Sequence, residues 1–382
     1  MERVRIEERP WWREQAEELG FQFHTIEGEK YWDESAYYSF SLEEVETRIE
    51  DPTAELHAMA LDLVDQVVAS EEKLALLDIP EAYWDLVSQS WKNREPHLYG
   101  RLDFSYGGAG PAKLLELNYD TPTSLYESGF FQWLWLEDAL RHDMVPAGAD
   151  QYNGIQEQLE SRFRALNLGS RLHFASVWHS DEDLGTVRYL QDIAAQAGLE
   201  TAYVPMEQIG FLDGQFLDRD DTPIEALFKL YPWEFMLEEE FARFIPGSPT
   251  RWLEPPWKLV LANKGILPLL WQAHPGHPNL LEACFDDGSS LKPGWARKPL
   301  FSREGANVEL VLPNGSALVE PGPYGGGRFV RQALAPLPVF DGNHVLVGSW
   351  VVGDQACGMG IREDSGPITK DSARFLPHIL LD

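Results

Sequence analysis

The sequence predicts a mixed protein of α+β or α/β class, and three observations predict it. Helical periodicity dominates the first hundred residues. A strand, a helix and a second strand follow from residue 171. The last third is a series of short apolar runs parted by Gly and Pro. A hydrophobic content of 44% and an aromatic content of 12% exclude a disordered chain, and 382 residues suffice for two or three lobes with ample core.

The elements follow in order. Ser41 with Glu44 reads as a capping box that opens a helix. Asp51-Pro52 starts another, which carries Leu56, Met59, Leu63 and Val67 on one face. Residues 81–92 form a third helix. Residues 101–106 alternate polar and apolar, the period of a half-buried strand, and Gly107, Gly108, Gly110 and Pro111 turn the chain into a returning strand at 112–119. Residues 125–142 read as a buried helix rich in Phe and Trp.

A strand at 171–178, a helix at 181–197 ending at Gly198 and a strand at 201–205 make a βαβ unit. Its helix N-terminus is a place to receive an anion. Residues 224–231 are an apolar strand containing Lys229. Further strands are expected at 257–261, 308–312, 316–320, 328–332 and 345–352.

Charge narrows the function. With 31 basic and 62 acidic residues, the net charge of −31 excludes nucleic acid and anionic membranes as partners. It fits solubility first and attraction of a polyamine second. The cysteines, Cys284 and Cys357, form neither a disulfide framework nor a zinc ribbon. The first ten residues lack the apolar core of a signal peptide, and no run of about 18 apolar residues occurs. The expectation is a cytoplasmic protein.

Candidate chemistry centres on the hairpin. Residues two apart share a strand face, so Arg101 pairs with Asp103 and Glu116 with Asn118. If the register joins the two faces, two carboxylates, a carboxamide and a guanidinium meet, an oxygen set suited to Mg²⁺ beside a group for anions. Spacing alone favours a solvated hairpin face over a metal site, because charged residues on one hairpin face usually meet solvent and the long turn does not set the register. Lys264 and Lys298 stand at strand ends, with the small-residue loop Ser302-Arg303-Glu304-Gly305-Ala306-Asn307 after them. Lysines and loop N–H groups would serve phosphates, but neither a Walker loop nor a G-x-G-x-x-G is present, and from the residues alone a pair of surface lysines is the favoured reading. His274-Pro-Gly-His277 reads as a turn rather than a metal pair.

An ordered set of segments resembles the glutathionylspermidine synthetase family, in particular its stand-alone acid–amine ligases. The segments are Arg101-Leu-Asp-Phe104, Glu116-Leu-Asn-Tyr-Asp-Thr-Pro-Thr-Ser124, Phe228-Lys-Leu-Tyr-Pro-Trp233, Glu254-Pro-Pro-Trp257, Asn263-Lys-Gly-Ile-Leu-Pro268, Lys298-Pro-Leu300 and the run from Gly358 to Arg362. The resemblance covers nearly the whole chain. The amidase domain of bifunctional members has no counterpart in these residues. The chain departs from those members in the small-residue loop and at Gly325 to Gly327, which leaves the acid and the amine open.

The resemblance implies an ATP-grasp fold related to glutathione synthetase. Residues 1–382 would form one catalytic unit, with approximate lobes at 1–165, 166–250 and 251–382. Asp103, Glu116 and Asn118 would hold Mg²⁺, as two ions. Arg101 would contact the transferring phosphoryl group and Arg362 the reacting groups. Lys264 and Lys298 would bind the phosphates of ATP under the loop that carries Ser302 and Gly305, and Gln332 and Leu334 would lie near adenine. The implied reaction joins a small-molecule acid to an amine through an acyl phosphate. Two other readings stand beside it: a catalytically silent Mg-ATP-binding module and, more weakly, a metal-dependent hydrolase.

Overall fold

Alternation over 101–106 and the Gly-rich turn after it produce the hairpin at the centre of the molecule. The computed structural model describes residues 1–26, 28–169 and 171–382. Strand Tyr99–Ser105 pairs antiparallel with Lys113–Asn118 on one side and with Asn343–Val352 on the other. The sheet continues through Gln355–Asp364 to Arg374–Leu376, and Val339–Phe340 adds a short strand beside Asn343–Val352. Every residue of Tyr99–Ser105 is buried, so the expected half-buried strand is a central one. Its polarity still sorts by period two. Leu102 and Phe104 pack in one core with Leu56, Ala60, Leu63 and Val64 of helix Asp51–Val68, while Arg101 and Asp103 turn the other way.

The expected βαβ unit is present. Arg171–Ser176, helix Asp181–Gln196 and Glu200–Tyr203 belong to a four-stranded parallel sheet that Ala226–Leu230 and Arg251–Leu253 complete. A five-stranded antiparallel sheet, ordered Ala283–Phe285, Phe329–Ala333, Trp295–Pro299, Glu309–Val311 and Ala317–Val319, forms the third layer.

Three expectations are corrected. Residues 257–261 are not a strand: Pro256–Val260 is a 3₁₀ turn, because Pro255 and Pro256 preset its φ and Lys258 turns inward to Glu254 and the carbonyl of Tyr99. The mainly helical first hundred residues also contain strand Ala36–Ser41, paired with Glu2–Arg5 and with His378–Leu381 from the other end of the chain. The capping box is half made. Ser41 Oγ accepts from Glu44 N at 3.1 Å, but the Glu44 carboxylate accepts from the N-terminal ammonium and from Tyr106.

Candidate active site

The hairpin register joins the two polar faces: Arg101 lies opposite Asn118 and Asp103 opposite Glu116. Arg101 Nε and Nη2 donate to Asp103 Oδ1 and Oδ2 at 2.6 and 3.0 Å. Arg362, from strand Gln355–Asp364, donates to Asp103 Oδ2 at 2.7 Å, and Asn118 Nδ2 does so at 3.2 Å. Gly348 makes room for this cluster, since a Cβ there would stand 2.9 Å from Arg101 Cδ. Arg101 Nη1 also donates to the Thr123 carbonyl at 2.7 Å, which ties the turn after the hairpin to the cluster.

Two lysines arrive from elsewhere. Lys264, just before helix Ile266–Ala273, sits 3.3 Å from Glu116 Oε2 and donates to the Ser302 carbonyl at 2.7 Å. Lys298, on Trp295–Pro299, donates to the Leu115 carbonyl at 2.9 Å and to Gln332 Oε1 at 2.8 Å. Gln332 Nε2 donates in turn to the Leu114 carbonyl at 3.0 Å, so this pair docks the third layer onto the hairpin. Burial pushes the Glu116 carboxyl up, but Lys264, Lys298, Arg362 and Arg101 together hold it down to about 2. Burial lowers the Lys298 ammonium to about 8 even though Glu116 works to raise it.

Two adjoining cavities meet at this cluster. One, of about 390 Å³, is walled by apolar residues such as Ala296, Leu310, Leu334 and Leu346, with Lys298 and Gln332 at its edge. The other, of about 370 Å³, is polar and lined by Arg101, Asn118, Thr123, Glu182 and Arg362. Glu116, Lys264, Ser302 and Gly305 border both. Gly305 has φ +69°, and a Cβ on it would lie 2.5 Å from Ile368 Cγ2, so only glycine lets this loop lie against residues 368–369.

Arg101, Asp103, Glu116, Asn118, Lys264, Lys298, Ser302, Gly305 and Arg362 are thus gathered in one place, with Gln332 and Leu334 on the apolar wall. Asp103 is fully buried beneath the two arginines. The oxygens of Asp103, Glu116 and Asn118 suit a hard cation. Four cationic side chains surround these two carboxylates, so a metal ion fits when it arrives with anionic phosphates. Among the described residues, no three His, Cys, Asp or Glu side chains form a metal cage by themselves.

An acidic group beside the polar cavity, of which Glu182 and Asp183 line it, went unread in the sequence. Tyr31 Oη donates to Glu127 Oε1 at 2.6 Å and stands 3.3 Å from Glu182 Oε1. One hydroxyl has a single proton for two carboxylates. Burial raises Glu127 to about 7. Burial and then the neighbouring Glu127 and Asp183 raise Glu182 to about 8, and burial raises Asp183 to about 6. The helix N-terminus expected to receive an anion is therefore filled by its own Asp181, Glu182 and Asp183, with Ser180 Oγ accepting from Asp183 N. The run of acidic residues after Ser180 was the available signal. Lys229 was visible as a charge in an apolar run; it is buried against Asp120 Oδ1 at 2.5 Å, and Asp120 Oδ2 accepts from Trp233 N at 2.7 Å. Arg303, in the small-residue loop, lines the polar cavity and pairs with Glu234.

Similarity to known proteins identifies the family and the fold. The family profile described as glutathionylspermidine synthase preATP-grasp matches residues 3–381. A protein of Haemophilus influenzae named "Putative acid--amine ligase" is 40% identical, over 97% of this chain and 97% of its own. Trypanothione synthetase of Crithidia fasciculata is 30% identical over 82% of this chain, and the bifunctional glutathionylspermidine synthetase/amidase of Escherichia coli K12 is 27% identical over 90%. The matched regions are 52% and 59% of those two longer proteins. Among solved structures, a glutathione synthetase-like effector from Globodera pallida is similar at a TM-score of 0.59 and 10% identity, over 98% of both chains. The fold is thus the ATP-grasp fold related to glutathione synthetase. No helix among the described residues is long and apolar enough to cross a membrane. The chain belongs to the glutathionylspermidine synthase family, enzymes of the acid–amine ligase class that form C–N bonds.

Proposed function

We propose that residues 1–382 form a single cytoplasmic catalytic unit, an ATP-dependent carboxylate–amine ligase. One observation carries this reading: a polar cavity lined by Arg101, Lys264 and Arg362 and by the carboxylates Glu182 and Asp183 shares Glu116, Lys264, Ser302 and Gly305 with an apolar pocket. The apolar pocket, with Gln332 and Leu334, takes the adenine. Lys264 and Lys298 take the phosphates, and the loop with Ser302 and Gly305 lies over them. Asp103, Glu116 and Asn118 would hold Mg²⁺, which when bound offsets the charge of the phosphate oxygens.

The substrate carboxylate attacks the γ-phosphorus, the bond to the bridging oxygen breaks, and ADP leaves. Arg101 and Arg362 hold the transferring phosphoryl group and the acyl oxygen, so the protein acts by position and charge. The ammonium first gives up one proton to become the free amine, its nitrogen attacks the acyl carbon, phosphate departs, and the nitrogen loses a second proton. Glu182, pushed up to about 8, is protonated at neutral pH in the ligand-free cavity; an arriving ammonium favours its ionised form, which is then basic enough to accept a proton from the amine. The acid is proposed to be glutathione or another peptide carboxylate, and the amine a polyamine.

A catalytically silent Mg-ATP binder is the second reading. It is favoured by Asp103, both of whose oxygens are engaged by arginines in this form. ADP and phosphate release with Mg-ATP against a panel of peptides and polyamines, glutathione with spermidine included, separates the two. Release that requires both an acid and an amine is expected, whereas Mg-ATP binding with no release across the panel favours the silent binder.

A further inference from the structure

Two hollows share residues of the short helix Trp233–Met236. One is the polar cavity. The other is an outer cleft of about 420 Å³ whose walls include Phe301, Tyr324 and Arg328. Glu234 and Phe235 line both hollows, so they form the partition. Arg303 closes it from the cavity side: its Nη2 is 2.8 Å from Glu234 Oε1, and its Cζ lies 5.1 Å from the centroid of the Phe235 ring.

This pair is half made. A guanidinium and a carboxylate commonly form two parallel hydrogen bonds. Here Arg303 Nη1 and Glu234 Oε2 are both buried and have no hydrogen-bond partner among the described residues. Each leaves capacity that a better partner would use, and an unmade buried bond carries a desolvation cost that an exchange relieves. The chemistry of the cleft selects the newcomer. Asp78 is neutralised by Arg328 and Glu234 by Arg303, so Glu238, and Glu234 once Arg303 leaves, stand as carboxylates beside the rings of Phe235, Phe301 and Tyr324. Carboxylates and aromatic faces hold a cation and repel a phosphate.

Resting on the ligase reading, we infer that the Arg303–Glu234 pair is a latch between cleft and cavity, and that an alkylammonium group entering from the cleft opens it by replacing Arg303 at Glu234. Glu234 is then a positioning residue: it keeps the partition shut while the acyl phosphate forms and water must be excluded, and it yields when the amine arrives.

The test reads the latch without requiring turnover. Trypsin cleavage after Arg303, followed by mass spectrometry, should be slow in the wild type. Spermidine, as the probe amine, should accelerate it about tenfold, the effect of losing one modest interaction. Glu234→Gln should cleave fast with or without spermidine, and Arg303→Lys, which cannot form the planar pair, should behave like it; equal melting temperatures check that both fold. Indifference to spermidine, or acceleration by Mg-ATP alone, overturns the inference. Where the wild type turns over, Glu234→Gln should raise the amine KM and amine-independent ADP release by about tenfold while the ATP KM stays within about twofold; an unchanged amine KM overturns it. A wild type silent in ADP release would refute the ligase reading and leave the cleavage result to judge the latch.

Discussion

Glu116 and Glu182 line the same polar cavity and have the same side chain, yet their surroundings push them in opposite directions. At Glu116, four cations outweigh burial and hold the carboxyl down to about 2. At Glu182, nothing outweighs burial, and Glu127 and Asp183 add to it, raising the carboxyl to about 8. One end of the cavity therefore keeps a fixed anion inside a cationic cluster, ready for phosphates. The other end holds protons that an arriving ammonium can displace. Neighbours, not residue type, divide the chemistry between the two ends.

The comparison breaks most severely at the cationic end. Glu116→Ala removes a carboxylate that faces both cavities and takes from Lys264 and Lys298 the counter-charge nearest them. ADP release with a productive acid and amine should fall by more than about 100-fold, the scale of losing a transition-state electrostatic contact. Circular dichroism should show an intact fold, because Glu116 borders the cavity instead of filling the core. Retained turnover would remove Glu116 from the proposed machinery.

At the other end, Glu182→Gln should raise the amine KM by about tenfold and leave the ATP KM unchanged. It also has a stability signature. The folded pKa lies above the ordinary value, so the contribution is complete below the unfolded pKa and is lost as pH rises through about 8. The neutral glutamine avoids that loss. The melting temperature of Glu182→Gln should match the wild type at pH 4, exceed it by a margin that grows as pH rises to about 8, and keep that margin above it. A constant gap across this range would mean that Glu182 is not strained by its neighbours.

What was legible in the sequence follows the range of the interactions. Period-two alternation is local, so Arg101, Asp103, Glu116 and Asn118 could be set on two facing strands, and only the register awaited the structure. Arg362 and Lys298 meet this hairpin from more than 180 residues away, and the resemblance, not their spacing, brought them into the site. The buried Lys229–Asp120 pair and the Glu127–Tyr31–Glu182 group join distant segments and carry no periodic trace. The turn at Pro256–Val260 misled for a local reason: its apolar run reads as a strand, but the two preceding prolines and the inward Lys258 are what set its shape.

The mildest change sharpens the comparison by titrating one cation. Lys298 is pushed down to about 8, first by burial, with Lys264 adding to it and Glu116 opposing. In the ligand-free protein it loses its charge as pH rises through that value. If ATP binds the charged form, binding above pH 8 must take up a proton, and the apparent affinity falls. From pH 7 to pH 8 the apparent Kd of Mg-ATP should rise about twofold, from pH 8 to pH 9 about fivefold, and beyond that about tenfold per pH unit, by proton linkage. Lys298→Arg stays protonated throughout, so its affinity, whatever its absolute level, should be flat across the same range. Calorimetric titrations at several pH values in buffers of different ionisation enthalpy would count the proton directly. A flat wild-type profile with no proton uptake would mean that phosphate binding does not draw on Lys298, and the cationic end would then rest on Lys264, Arg101 and Arg362.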